Sequence, residues 1–130
     1  MRANHRIDGA WLGSVVIAIN KAWTARAFDA STEDLARVTQ SGEPGFGLNT
    51  TNDAKVVIFG GGIPIREDGI VIGAVGASGG SVDQDVIVAR RAGGPQRSGL
   101  TIRLGSPRGC GWSEPVFVIR PQAMPRHSIT

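Results

Sequence analysis

Gly60-Gly61-Gly62-Ile63-Pro64-Ile65-Arg66-Glu67-Asp68-Gly69-Ile70-Val71-Ile72-Gly73-Ala74-Val75-Gly76-Ala77-Ser78-Gly79-Gly80-Ser81-Val82-Asp83-Gln84-Asp85 is the stretch whose reading decides the fold. It reads as a hairpin followed by a glycine-rich turn and a helix. Asp68-Gly69 sits between two apolar runs, and both residues tolerate the positive φ that a type I′ turn requires. Pro64 cannot donate a ladder bond, so its strand belongs at a sheet edge or beside a bulge. After Gly79-Gly80, the Ser81-Val82-Asp83-Gln84 box caps a helix that runs to about Ala92, with Val82, Val86 and Ala89 on one face. A strand so rich in glycine lets another backbone or a flat ligand approach closely, which favours a binding surface over a catalytic centre.

Upstream, Ser14 is the expected N-cap of a helix whose apolar positions Val16, Ile19, Trp23 and Ala27 recur at helical spacing and mark a core or subunit-interface face. Ser31 caps a second, shorter helix with Glu33 and Asp34 in its first turn, where acids complement the dipole. Residues 40–53 read as a loop, and Lys55-Val56-Val57-Ile58-Phe59 as a short strand. Downstream, Leu100–Leu104 alternates like a strand and Val116–Ile119 is a further candidate.

The 130 residues, 41% of them hydrophobic, suit one compact domain. No apolar run approaches the length of a membrane span and the N-terminus is no signal peptide, so a soluble, cytoplasmic protein is expected, without membrane partners. The single cysteine, Cys110, excludes an internal disulfide and a cysteine-built metal site. The net charge of +3 is unevenly spread: residues 1–93 carry nine basic and ten acidic side chains, residues 94–130 five arginines and one glutamate. Five of the seven prolines also lie after residue 93. The chain therefore divides into a body, 1–93, and a basic Gly/Pro-rich tail, 94–130, read as an extended or strand-adding segment. Its arginines are dispersed without a run of like charge, which argues against nucleic acid as a partner.

The chain carries no nucleotide loop, since no Gly-x-Gly-x-x-Gly opens a helix after a strand and no Gly-Lys-Ser/Thr is present. Asp83 and Asp85 read as surface charges at a helix N-terminus. Ser14, Ser78 and Ser81 lack a histidine–acid partner signature. His5 and His127 are the weak candidates for ligating a haem iron, each lying near a terminus. Trp11, Trp23 and Phe28 are candidates for a flat hydrophobic wall against a planar ligand.

Three pieces, in order and spacing, resemble the GlcG/HbpS haem-binding family, also met as the C-terminal domain of PduO-type corrinoid adenosyltransferases. They are Lys21-Ala22-Trp23-Thr24-Ala25 with Phe28 following, Gly61-Gly62-Ile63-Pro64-Ile65, and Asp68-Gly69 through Gly80 ending in Asp83-Gln84-Asp85 and Val88-Ala89. The likeness covers about residues 8–93, including Asp8-Gly9-Ala10. It implies an α/β (α+β) fold, profilin-like or PAS-like, in which helices pack on an antiparallel sheet. It also implies a helix and two strands ahead of Asp8 that this chain does not show, so the N-terminal part of the sheet is expected to be incomplete.

The resemblance further implies homo-oligomers that bind haem or, as the second choice, a corrinoid. Carried over by position, Lys21, Thr24 and Phe28 on the first helix and Gly61, Gly62 and Pro64 at the glycine turn stand near the ligand or a subunit interface, with Thr24 the preferred polar contact. The leading expectation is a non-enzymatic tetrapyrrole-binding protein for storage, delivery or sensing. Two alternatives stand beside it. One is an enzyme or accessory factor for a small organic acid or aromatic catabolite, using the Gly61 and Gly62 amides and Asp83 or Asp85. The other is a structural oligomerisation module.

Overall fold

The computed structural model describes residues 3–5, 9–94 and 116–119. In chain order its elements are β1 (Ala3–His5), α1 (Leu12–Ala27), α2 (Thr32–Thr39), β2 (Gly62–Glu67), β3 (Ile70–Ala77), α3 (Val82–Gly93) and β4 (Val116–Ile119). The strands form one antiparallel sheet in the order β1-β4-β3-β2, which makes the fold α+β.

The hairpin forms as its turn chemistry dictates. Glu67 pairs with Ile70 across a two-residue loop in which Asp68 and Gly69 take φ of 49° and 78°. β2 is an edge strand of the described sheet, and its register shifts between Ile65 and Arg66, one residue beyond Pro64. On the other side of β3, Ala77 pairs with Val116 and Ala74 with Ile119, so the candidate strand at 116–119 lies inside the sheet, between β3 and β1. The candidate strand at 100–104 lies outside the described residues.

Two helices cover opposite faces of the hairpin. α3 lies on the face carrying Ile63, Ile65, Val75 and Ala77, where Ala89 is fully buried and Val88 and Ala92 add partial cover. α1 lies on the other face, where Ala22 and Ala25 pack on Ala74. This second contact is unusually close. A Cβ at Gly76 would collide with the Ala18 carbonyl and come within 2.7 Å of the Ala22 amide; one at Gly62 would collide with the Lys21 carbonyl and stand 2.7 Å from Thr32 Cγ2. Of the two things such a strand admits, another backbone or a flat ligand, Gly62 and Gly76 meet the first: the backbone of α1 in the same chain occupies the space they leave.

That approach also reverses the expected face of α1. The buried positions are Ser14, Ala18, Lys21, Ala22, Thr24 and Ala25, whereas Val16 is 58% exposed and Ala27 is exposed. Only small side chains allow the helix backbone to approach the sheet this closely, so volume rather than hydrophobicity selects the inward face. Ser14 is not the N-cap. The helix begins two residues earlier, and Ser14 is buried in its first turn.

The other two helices start where their caps predict. The Ser31 hydroxyl accepts from the Asp34 amide, and the reciprocal Ser81–Gln84 box is complete. Residues 55–59 are not a strand. Val56 and Val57 are buried, but their segment is held by side-chain bonds to α1 rather than by a ladder. The loop before it forms two short 3-10 turns, Leu48–Thr50 and Asn52–Ala54.

Candidate functional site

Opposite charges meet at the end of the hairpin where β2 begins and β3 ends. Lys21 projects from α1 and is completely buried. Its ammonium donates to the Ala77 carbonyl at 2.9 Å and to Asp85 Oδ2 at 2.5 Å, and lies 4.9 Å from the centroid of the Phe59 ring. Asp85, 3% exposed on the first turn of α3, accepts a second hydrogen bond through Oδ1 from the Gly80 amide at 3.1 Å. The pair thus joins the helices on the two faces of the sheet by passing its end. Two charges removed from water need such partners, because desolvation of each costs several kcal/mol and an unpaired survivor would keep that penalty.

Gly61 provides the passage. Its φ is +115°, and a Cβ there would stand 2.7 Å from Lys21 Nζ, 2.8 Å from the Ala77 carbonyl and 2.9 Å from Asp85 Cβ. Any side chain would therefore displace the pair as well as strain the backbone. The turn is pinned on both sides: the Ala77 amide donates to the Gly61 carbonyl at 2.8 Å, and the Gly62 amide donates to Thr32 Oγ1 at 2.9 Å. Thr32 is the first residue of α2, so α2 also helps to fix the turn.

The residues singled out from the sequence fall into three groups. Lys21, Gly61 and Gly62 are brought together and are all buried. Thr24 lies one turn along α1, fully buried; its hydroxyl donates to the Lys55 carbonyl at 3.3 Å and accepts from the Val57 amide at 3.0 Å. Its hydrogen bonds run to the segment before the glycine turn. Phe28, at the C-cap of α1, is 38% exposed, and Pro64 is half-buried opposite Ala74 in the hairpin.

Trp11, a member of the expected wall, is 84% exposed. His5 lies in β1 and His127 outside the described residues; among the described residues no group of three or more His, Cys, Asp or Glu side chains could hold a metal ion.

The sequence does not mark Phe59 at all, and it places Asp85 in the family motif without its buried role. Asp85 reads as a dipole-stabilising surface charge, yet it is buried, as is Ala89 one turn later. A signal was present: each partner of the ion pair lies on a stripe of alanines, Lys21 with Ala18, Ala22 and Ala25, Asp85 with Ala89 and Ala92. A lone charge on a small-residue stripe invites a search for its counterpart on the other helix.

The family model for the haem degrading protein HbpS-like group matches residues 1–93. An uncharacterised 15.0 kDa protein of Citrobacter freundii, from the dhaT-dhaS intergenic region, is 45% identical over 87 residues, 67% of this chain and 61% of its own length. The corrinoid adenosyltransferase PduO of Salmonella typhimurium is 46% identical over 87 residues, again 67% of this chain but 26% of its own length. Among solved structures, the PduOC:heme complex superposes with a TM-score of 0.63 at 46% identity, covering 65% of this chain and 62% of that one. Klebsiella pneumoniae ORFY superposes at 0.64 with 42% identity, over 65% of this chain and 59% of that one. The chain thus spans about three fifths of the first of these relatives and about a quarter of the second.

Proposed function

Since the chain belongs to the HbpS-like family, we propose that it binds haem without turning over a substrate, in storage, delivery or sensing. The observation that carries this reading is the 46% identity to a chain crystallised with haem, over a superposed region covering 65% of this one. In this reading Lys21, Gly61 and Gly62 build the wall of the site from within, Thr24 holds the neighbouring 55–57 segment in place, and Phe28 and Pro64 flank it. Corrinoid is the second choice of ligand, prompted by the name of the PduO relatives.

Titration of the full chain with hemin tests this: a shifted Soret band saturating at one haem per chain or per dimer supports it, and an unchanged spectrum at micromolar hemin removes it. Following the same band after adding a reductant in air separates binding from haem degradation, the activity named in the family's description. A stable band supports the non-enzymatic reading, and progressive bleaching replaces it with an enzymatic one.

The organic-acid enzyme has less to work with. The Gly62 amide is donated to Thr32 and Asp85 is paired with Lys21, so much of the set that would hold an oxyanion and move a proton is engaged inside the chain.

The proposal includes a homo-oligomer. Trp11, just before α1, and Leu12 and Val16 in its first half are 84%, 76% and 58% exposed, an apolar surface that a second copy would cover. The body at 1–93 carries the ligand, and the tail at 94–130 contributes the strand at Val116–Ile119 to its sheet. No helix among the described residues is long and apolar enough to cross a membrane. A cytoplasmic location belongs to the same proposal.

A further inference from the structure

Phe59 combines a contact to a buried cation with partial exposure to solvent. The ring sits over a buried ammonium, with Lys21 Nζ 4.9 Å from its centroid, while the residue as a whole is 39% exposed. The ammonium is itself held by Asp85 and the Ala77 carbonyl. The residue after Phe59, Gly60, is packed against Val82 and Val86 of α3. Val82, 45% exposed, extends the apolar area beside it.

A cation over one face of an aromatic ring draws π-electron density toward itself and makes the opposite face a better partner for an electron-rich conjugated plane. We infer that Phe59 is the platform on which the flat face of the tetrapyrrole stacks, with Lys21 and Asp85 as the positioning pair that fixes the ring from behind. This rests on the haem-binding reading and adds to it a contact residue and two residues acting through that contact.

The test uses the full chain titrated with hemin and, separately, with iron-free protoporphyrin IX, which stacks but cannot be ligated through a metal. Phe59→Ala is expected to weaken both by about tenfold, Phe59→Leu to weaken both despite its retained bulk, and Phe59→Trp to restore both. Asp85→Asn, with its fold verified by circular dichroism, is expected to displace the porphyrin absorption band of the bound complex in wild-type Phe59 and to have no further effect in the Phe59→Ala background. If the wild-type chain binds hemin while both Phe59→Ala and Phe59→Leu bind it and protoporphyrin as tightly, the platform is overturned and the haem reading stands. If the wild-type chain binds neither porphyrin, the haem reading fails and the platform fails with it.

Discussion

The two faces of α1 make opposite use of side-chain size. The inward face carries Ala18, Lys21, Ala22 and Ala25, all fully buried, while the outward face carries Leu12 and Val16, more than half exposed. Hydrophobic periodicity alone points the helix the wrong way round, because the larger apolar side chains lie on the side away from the sheet. Close packing against a sheet that has glycine at 62 and 76 needs small residues, and the single long inward side chain, Lys21, escapes past the sheet end through the gap at Gly61. Helix–sheet distance, set by the glycines, therefore decides which stripe is core.

The severest way to break this contrast is to restore volume on the inward side. Gly76→Val would drive a β-branched side chain into the Ala18 carbonyl, and a loss of about 4 kcal/mol or more, measured by urea unfolding, is expected. A stability within 1 kcal/mol of wild type would show that the helix can move away from the sheet freely.

Lys21→Met should cost about 3–5 kcal/mol by leaving Asp85 buried without its cation, whereas adding Asp85→Leu to it should recover much of that loss. Double-mutant unfolding measures this directly, and simple additivity of the two changes would show that the charges do not depend on each other.

Thr24→Val keeps the shape but removes the acceptor for the Val57 amide and the donor to the Lys55 carbonyl, so about 1–3 kcal/mol is expected. Hydrogen exchange at Val57 should speed up with it, and an unaltered rate would place the restraint of that segment elsewhere.

On the outward side, Val16→Ser should change unfolding free energy by no more than about 0.5 kcal/mol while reducing the mass seen by light scattering, if the stripe is where copies meet. A large stability loss with unchanged mass would make this face part of the intramolecular core.

Much of the fold was legible because its signals act over short sequence distances. The Asp68-Gly69 turn, the Ser31 cap and the Ser81–Gln84 box each depend on groups no more than three residues apart, and each forms as read. The 55–59 segment misled, since an apolar run of that length is compatible with a ladder; its backbone is tied instead to Thr24, more than thirty residues away. The candidate site was half legible. Lys21, Gly61 and Gly62 follow from the family's motifs, whereas Asp85 reads as a surface charge or, in the enzyme alternative, a proton carrier, and nothing in the sequence marks Phe59.

By itself the sequence determined where α2, α3 and the hairpin begin and turn, and that the pattern is one of the HbpS-like family. Tertiary structure alone decided that glycines make room for a helix and that Lys21 meets Asp85 across 64 residues of chain. The reason is physical: caps and turns satisfy backbone groups with nearby atoms, whereas inward faces and buried charge partners exist only once distant elements have packed.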